Sequence, residues 1–262
     1  MAVFLDSSMQ AQLSTSKVAG ARQLALSGIS FASTAPAANL PFTATRTVQG
    51  EGKFTVIRSS DSGRININAL LKKRDLVAIS RILSAWGSEY DKVGNASTAL
   101  EHRTWLLSGN DNSGAGFIPF ESFAQLQSIP EFAEAVKKKE NWRDLITFWG
   151  SGAVDVNYAK ADVLMALGGL NASQANTIIE TRAGKDGQEG TKDDVHFSSL
   201  ENVILTLGLS ETSARQLRTY FGTKTEIERI TSIGDIRGMQ RKVQVILKSA
   251  KEDGTPLAWD EE

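Results

Sequence analysis

Four carboxylates crowd one short loop. Asp186, Glu189, Asp193 and Asp194 fall within Gly184-Lys185-Asp186-Gly187-Gln188-Glu189-Gly190-Thr191-Lys192-Asp193-Asp194. They are hard oxygen donors, and the glycines between them let backbone carbonyls turn inward. Calcium takes six to eight such oxygens, so it is the ion this loop suits, in a structural role; the spacing is not that of an EF-hand. The same residues also read as a solvated acidic turn, and composition does not separate the two. A second loop, Asn110-Asp111-Asn112-Ser113, offers fewer donors.

Other chemistries are missing. The chain has no cysteine, which excludes disulfides, thiol catalysis and cysteine-ligated zinc. Its two histidines, His102 and His196, stand alone in the sequence and read as structural or solvated. No nucleophile elbow, phosphate loop, dinucleotide fingerprint or zinc-protease motif occurs. An enzymatic reading therefore has no residues to rest on. The formal net charge of -1 supplies no general attraction to nucleic acid or to an acidic membrane surface.

Two turns invite a nucleic-acid reading all the same. A helix-hairpin-helix module grips phosphate through backbone N–H groups of a Gly-apolar-Gly turn at a helix N-terminus, helped by Lys or Arg. Here the turns are Gly169-Leu170-Asn171 and Gly208-Leu209-Ser210. Both lack the second glycine. Ala172-Ser173-Gln174 and Glu211-Thr212-Ser213 follow without a base, and Glu211 would repel phosphate.

The elements that must position these loops follow from periodicity and stop signals. Residues 2–34 form a helix with a stripe of Leu5, Met9, Leu13, Val18, Ala21, Leu24, Ala25 and Ile29. Pro36 to Gly52 reads as a linker. Lys53–Arg58 and Arg64–Asn68 alternate like strands, and Ala69–Leu83 is helical. Trp86–Gly116 is glycine-rich, with a short helix over Ala99–Leu107. Short helices are predicted over Phe120–Leu126 and Glu131–Lys138. Ile65-Asn66-Ile67-Asn68-Ala69 is echoed by Val154-Asp155-Val156-Asn157-Tyr158-Ala159, in each case a short strand running through an asparagine cap into a helix. A helix with Val163, Leu164 and Leu167 on one side ends at Gly168-Gly169, and Asn171 or Ser173 caps the next. Leu200–Leu207 and Glu211–Tyr220 make a second hairpin. From Thr225 the chain turns β-branched, with turns at Arg237-Gly238 and Asp253-Gly254, and closes as an antiparallel meander ending in Leu257-Ala258-Trp259. The expectation is an α+β fold, its sheet interrupted by an all-helical insertion.

Several segments, in order, resemble the general secretion pathway protein K family, the large minor pseudopilin of type II secretion systems. Leu24-Ala25-Leu26-Ser27-Gly28-Ile29-Ser30-Phe31-Ala32 is similar to the end of that family's long helix. Asp61-Ser62-Gly63-Arg64-Ile65-Asn66-Ile67-Asn68-Ala69-Leu70, Phe120-Glu121-Ser122-Phe123-Ala124-Gln125-Leu126 with Ile129-Pro130, Val154 to Arg182, Phe197 to Leu200 and Leu257-Ala258-Trp259 also match. The acidic segment that follows the family's first helix is degraded here to Ser84-Ala85-Trp86-Gly87-Ser88-Glu89.

The resemblance implies a pilin-like long helix and antiparallel sheet (1–68 and 223–262) around a helical insertion (69–222) with helix-hairpin-helix, or SAM-like, units. It implies a non-enzymatic protein at the tip of a periplasmic pseudopilus. Other minor pseudopilins would pack on the N-terminal helix through Leu5, Met9, Leu13, Ala21 and Ala25. It also implies inner-membrane anchoring through a leader and half-helix that the sequence lacks, leaving a soluble fragment. Family members can bind calcium in the helical part, which supports the Asp186–Asp194 loop. The helix-hairpin-helix nucleic-acid binder is the alternative.

Overall fold

A computed structural model describes residues 2–34, 40–48, 52–105, 116–249 and 254–262, with side chains from Thr15 onward. In chain order its elements begin with helix α1 (Ala2–Thr34), strands β1 (Phe42–Val48), β2 (Gly52–Ser60) and β3 (Ile65–Asn66). Helices α2 (Ile67–Lys72), α3 (Leu76–Ala85), α4 (Tyr90–Trp105), α5 (Phe123–Gln127) and α6 (Pro130–Ala135) follow, then a 3-10 turn (Trp142–Asp144) and strands β4 (Ile146–Thr147) and β5 (Val154–Asp155). Next come α7 (Ala161–Gly168), α8 (Ala172–Arg182), α9 (Leu200–Leu207), α10 (Glu211–Tyr220) and β6 (Phe221–Gly222). The chain closes with β7 (Ile227–Ile236), β8 (Met239–Lys248) and β9 (Pro256–Glu261). Two units result: one of residues 1–61, 188–192 and 227–262, the other of residues 62–187 and 193–226.

The first unit is an antiparallel sheet in the order β1-β2-β7-β8-β9 with α1 against one face. Leu24, Ala25, Ile29 and Ala32 recur at helical spacing and meet the alternating row Phe54, Val56, Ile230, Val243, Val245 and Leu247. Small residues bring helix and strand together. A Cβ on Gly234 would overlap the Ala21 carbonyl oxygen and crowd the Ala25 amide, and one on Gly28 would overlap Ser232 Oγ. The β7–β8 turn has positive φ at both Arg237 and Gly238, the twist a two-residue hairpin needs. Arg58 continues the inward row of β2 as a buried cation. Its Nε donates to Glu228 at 2.6 Å and its Nη1 to the Ala32 carbonyl near the end of α1, while Ser249 Oγ donates to the other Glu228 oxygen. Pairing and these extra bonds are what make a buried charge tolerable.

The segment from Pro36 to Gly52, read as a linker, contains β1. Phe42, Ala44 and Val48 pack on the core, but threonines and Arg46 between them dilute the alternation.

The second unit repeats one arrangement. In its first half β3 pairs in parallel with β4, Ile65 opposite Ile146; in its second half β5 pairs in parallel with β6, Val154 opposite Phe221. Each half places helices between its two short strands and opens a helix with a Phe-x-Ser segment, Phe120-Glu121-Ser122 or Phe197-Ser198-Ser199. Ser122 and Ser199 are the caps, accepting from the backbone N–H three residues on. One continuous apolar core, from Ile65 to Phe221, fills both halves.

Three further expectations need correction. Ala69–Leu83 is two helices, because Arg74 takes a positive φ and Asp75 caps α3 by accepting from the Ala78 N–H. The short helix at Ala99–Leu107 is instead α4, which starts at Tyr90; its buried Ala96 and Ser97 hide the apolar stripe. Residues 106–107 of that expectation lie outside the described residues. The asparagine cap holds for Asn66, which accepts from the Ala69 N–H, but Asn68 and Asn157 do not cap.

Candidate functional site

Those two asparagines do something the sequence reading missed. Phe197 N–H donates to Asn157 Oδ1 at 2.7 Å, and Asn157 Nδ2 donates back to the Phe197 carbonyl at 3.1 Å. Asn68 treats Phe120 identically, at 2.8 Å both ways, and its Nδ2 also reaches the Phe148 carbonyl. A primary amide carries a donor and an acceptor side by side, so it can satisfy both backbone groups of one extended residue. Both asparagines and both phenylalanines are buried, where unmet backbone groups are costly. Each clamp fixes the start of the Phe-x-Ser helix two residues later. The echoed sequences around Asn68 and Asn157 were the available signal.

The Asn157 clamp stands beside the base of the acidic loop. Val195 N–H donates to the Arg182 carbonyl at 2.9 Å and closes the loop where α8 ends. Arg182 itself is buried and donates to the carbonyls of Val156 and Ala159. Within the loop, Asp193 Oδ2 accepts the N–H groups of Lys185 (2.7 Å) and Asp186 (3.1 Å), while Gly184 takes a positive φ that a side chain would resist. Asp186, Glu189 and Asp193 are exposed and Asp194 half-buried. Among the described residues no three His, Asp or Glu side chains stand close enough to hold one ion. One of the Asp193 oxygens is committed to the loop backbone instead. The Asn110–Ser113 loop lies outside the described residues.

Both hairpin turns use their glycine as a left-handed C-cap, Gly169 at φ 67° and Gly208 at φ 58°. The N-terminus of α8 is closed by its own capping box, Asn171 with Gln174, and that of α10 by Ser210, which accepts from the Ser213 N–H. Gln216 Nε2 donates to the Leu167 carbonyl and its side-chain amide covers Gly169. The backbone donors a phosphate would need are thus partly engaged, and no base stands in either turn. His102 lies on α4; His196 Nε2 is 2.9 Å from Tyr158 Oη.

On α1, Ala21 and Ala25 are fully buried against the helix's own sheet. They therefore cannot serve as a partner surface, which corrects the expectation that they face other subunits: they seat the helix on β7. The side chains of Leu5, Met9 and Leu13 lie outside the described residues. The exposed residues of α1 with described side chains include Arg22 beside a stripe of Ser16, Ala19, Gln23, Ser27 and Ser30 at three- and four-residue intervals.

A solved structure matches the fold over nearly the whole chain. The crystal structure of the GspK-GspI-GspJ complex from the enterotoxigenic Escherichia coli type 2 secretion system contains a chain that matches 98% of this one over 99% of its own length, with a TM-score of 0.62 and 12% identity. The fold is that of the GspK chain. The likeness covers the helix, the sheet and the helical unit together, and it agrees with the ordered resemblance read in the sequence. No family model matches the sequence, and no curated protein matches it. Among the described residues no helix is long and apolar enough to cross a membrane.

Proposed function

We propose that this chain is a minor pseudopilin of a type II secretion system, a structural component that assembles with other minor pseudopilins at the tip of the pseudopilus. The observation that carries the proposal is the end-to-end likeness to a chain crystallised with two others of such a system. In this reading residues 1–68 and 223–262 are the pilin-like part and 69–222 a helical insertion with helix-hairpin-helix units. The insertion's bulk favours the tip over an internal position. The native protein would be anchored in the inner membrane and work in the periplasm. No catalytic step is asked of it.

The partner surface would be the outer stripe of α1, where small side chains permit close helix packing. Charges placed there, Ala19→Glu with Ser27→Glu, are expected to weaken binding to the cognate minor pseudopilins at least tenfold by calorimetry without lowering the melting temperature. Unchanged affinity would remove α1 from the interface.

Calcium at the Asp186, Glu189, Asp193 and Asp194 loop rests on acid density alone, and binding would have to draw together side chains that stand apart in the structure. The expected sign is a melting temperature raised more by calcium than by magnesium, an effect lost in Asp186→Ala or Asp194→Ala. Equal shifts with both ions would dismiss the site.

A further inference from the structure

Three acidic side chains are the most deeply buried of the described carboxylates, and two have an arginine. Asp61 takes Arg229, and Glu228 takes Arg58. Asp155 is 1% exposed, and among the described residues no Arg or Lys hydrogen-bonds its carboxyl. Its partners are neutral: Thr225 Oγ1 donates to Oδ2 at 2.7 Å and the Asn157 N–H to Oδ1 at 3.0 Å.

Its place gives the carboxyl leverage. The second unit begins at Ser62 and ends at Glu226. Asp155 N–H donates to the Ser62 carbonyl, Thr225 donates to the Asp155 carboxyl, and Glu226 N–H donates to Ser62 Oγ. Asp155 thus holds the Ser62 end through its backbone and the Thr225 end through its carboxyl, and the bond from Glu226 to Ser62 joins the two ends, so the carboxyl reaches the Ser62 end through Thr225 and Glu226. In the first half of the unit the same position is Asn66, which never ionises.

We propose that Asp155 is a proton-operated latch on the two ends of the helical unit, closed when its carboxyl is neutral and slackened when it is ionised. The proton goes to Oδ2, and the Thr225 hydroxyl turns from donor to acceptor, so the contact survives without a buried charge. The charged groups on the surrounding segments are Asp61, paired with Arg229, and Arg64 on the two sides of Ser62, Lys224 and Glu226 on either side of Thr225, His196 before α9 and Arg182 on α8. Glu226 accepts the Ser151 N–H, Arg182 serves the carbonyls of Val156 and Ala159, and His196 bonds to Tyr158. Burial holds the carboxyl above the usual range. The bonds from Thr225 and Asn157, and after them the charge of His196, draw it downward by less. A carboxyl raised in the folded state contributes stability that is whole below the unfolded value and is lost as pH rises through the folded one.

The test compares the 262-residue chain with its Asp155→Asn variant from about pH 4 to about pH 8, a span that brackets a raised carboxyl. The variant is expected to melt above the wild type at the alkaline end, with the gap closing toward the acid end. Amide exchange at residues 62–64 and 224–226, corrected for intrinsic rate, is expected to slow on acidification in the wild type alone. A gap independent of pH, or a wild type more stable at the alkaline end, would overturn the latch. If the variant does not fold, carbon NMR of the wild-type Asp155 carboxyl decides: titration at or below the ordinary carboxylate range refutes it.

Discussion

Replacing Asn157 by alanine removes both halves of the clamp on Phe197. The Phe197 N–H and carbonyl lose bonds of 2.7 and 3.1 Å at a residue that is 6% exposed. Each buried backbone group left unpaired costs about 1–3 kcal/mol, so Asn157→Ala is expected to cost about 2–6 kcal/mol. For a unit of this size that lowers the melting temperature by roughly 5–15 °C. Asn68→Ala removes three bonds and should cost at least as much. Urea unfolding followed by circular dichroism measures both. Asn157→Asp sharpens the argument. It keeps the acceptor for the Phe197 N–H but turns a carboxylate oxygen toward the Phe197 carbonyl. Repulsion and burial then raise the folded-state pKa of that carboxyl, so its stability should be present in acid and lost as pH rises through the raised value. A cost below about 0.5 kcal/mol for Asn157→Ala, the size of an ordinary surface change, would refute the clamp. So would an Asn157→Asp variant whose deficit ignores pH.

Gly234→Ala should do more harm than its size suggests. The new Cβ meets backbone atoms of α1 at Ala21 and Ala25, and neither can move without lifting the helix. Overpacking of this kind costs about 1–3 kcal/mol or more, read as a fall in melting temperature. Asp193→Ala frees the N–H groups of Lys185 and Asp186. Trypsin is expected to cut after Lys185 and Lys192 several times faster, with little change in global stability because the loop is exposed; an unchanged cleavage rate would deny Asp193 its role in holding the loop.

Much of this architecture could be read from local pattern. The hairpin of α9 and α10 begins and ends where Ser199, Gly208 and Ser210 place their caps, and β7 to β9 follow from alternation and the Arg237-Gly238 turn. Local signals failed where contacts are distant. Asn68 and Asn157 were read as caps because asparagine before a helix usually is one; their partners lie 52 and 40 residues away. Asp155 looked like any strand residue until Ser62 and Thr225 closed around it. Strand β1 was lost among threonines. In α1 the small residues are visible in sequence, but whether they face the chain's own sheet or another helix is a tertiary fact, decided by Gly234. The acidic loop shows the same limit, since composition counts donors while Asp193 spends one oxygen on its own backbone.

The most direct test of the proposed assembly is the mass of what forms when this chain is mixed with the two candidate minor pseudopilins that the proposal would give it as partners. Size-exclusion chromatography with light scattering, at concentrations of about 10 μM that would populate a micromolar complex, is expected to give one peak whose mass is the sum of the components. Three separate peaks with the masses of the single chains would contradict the account.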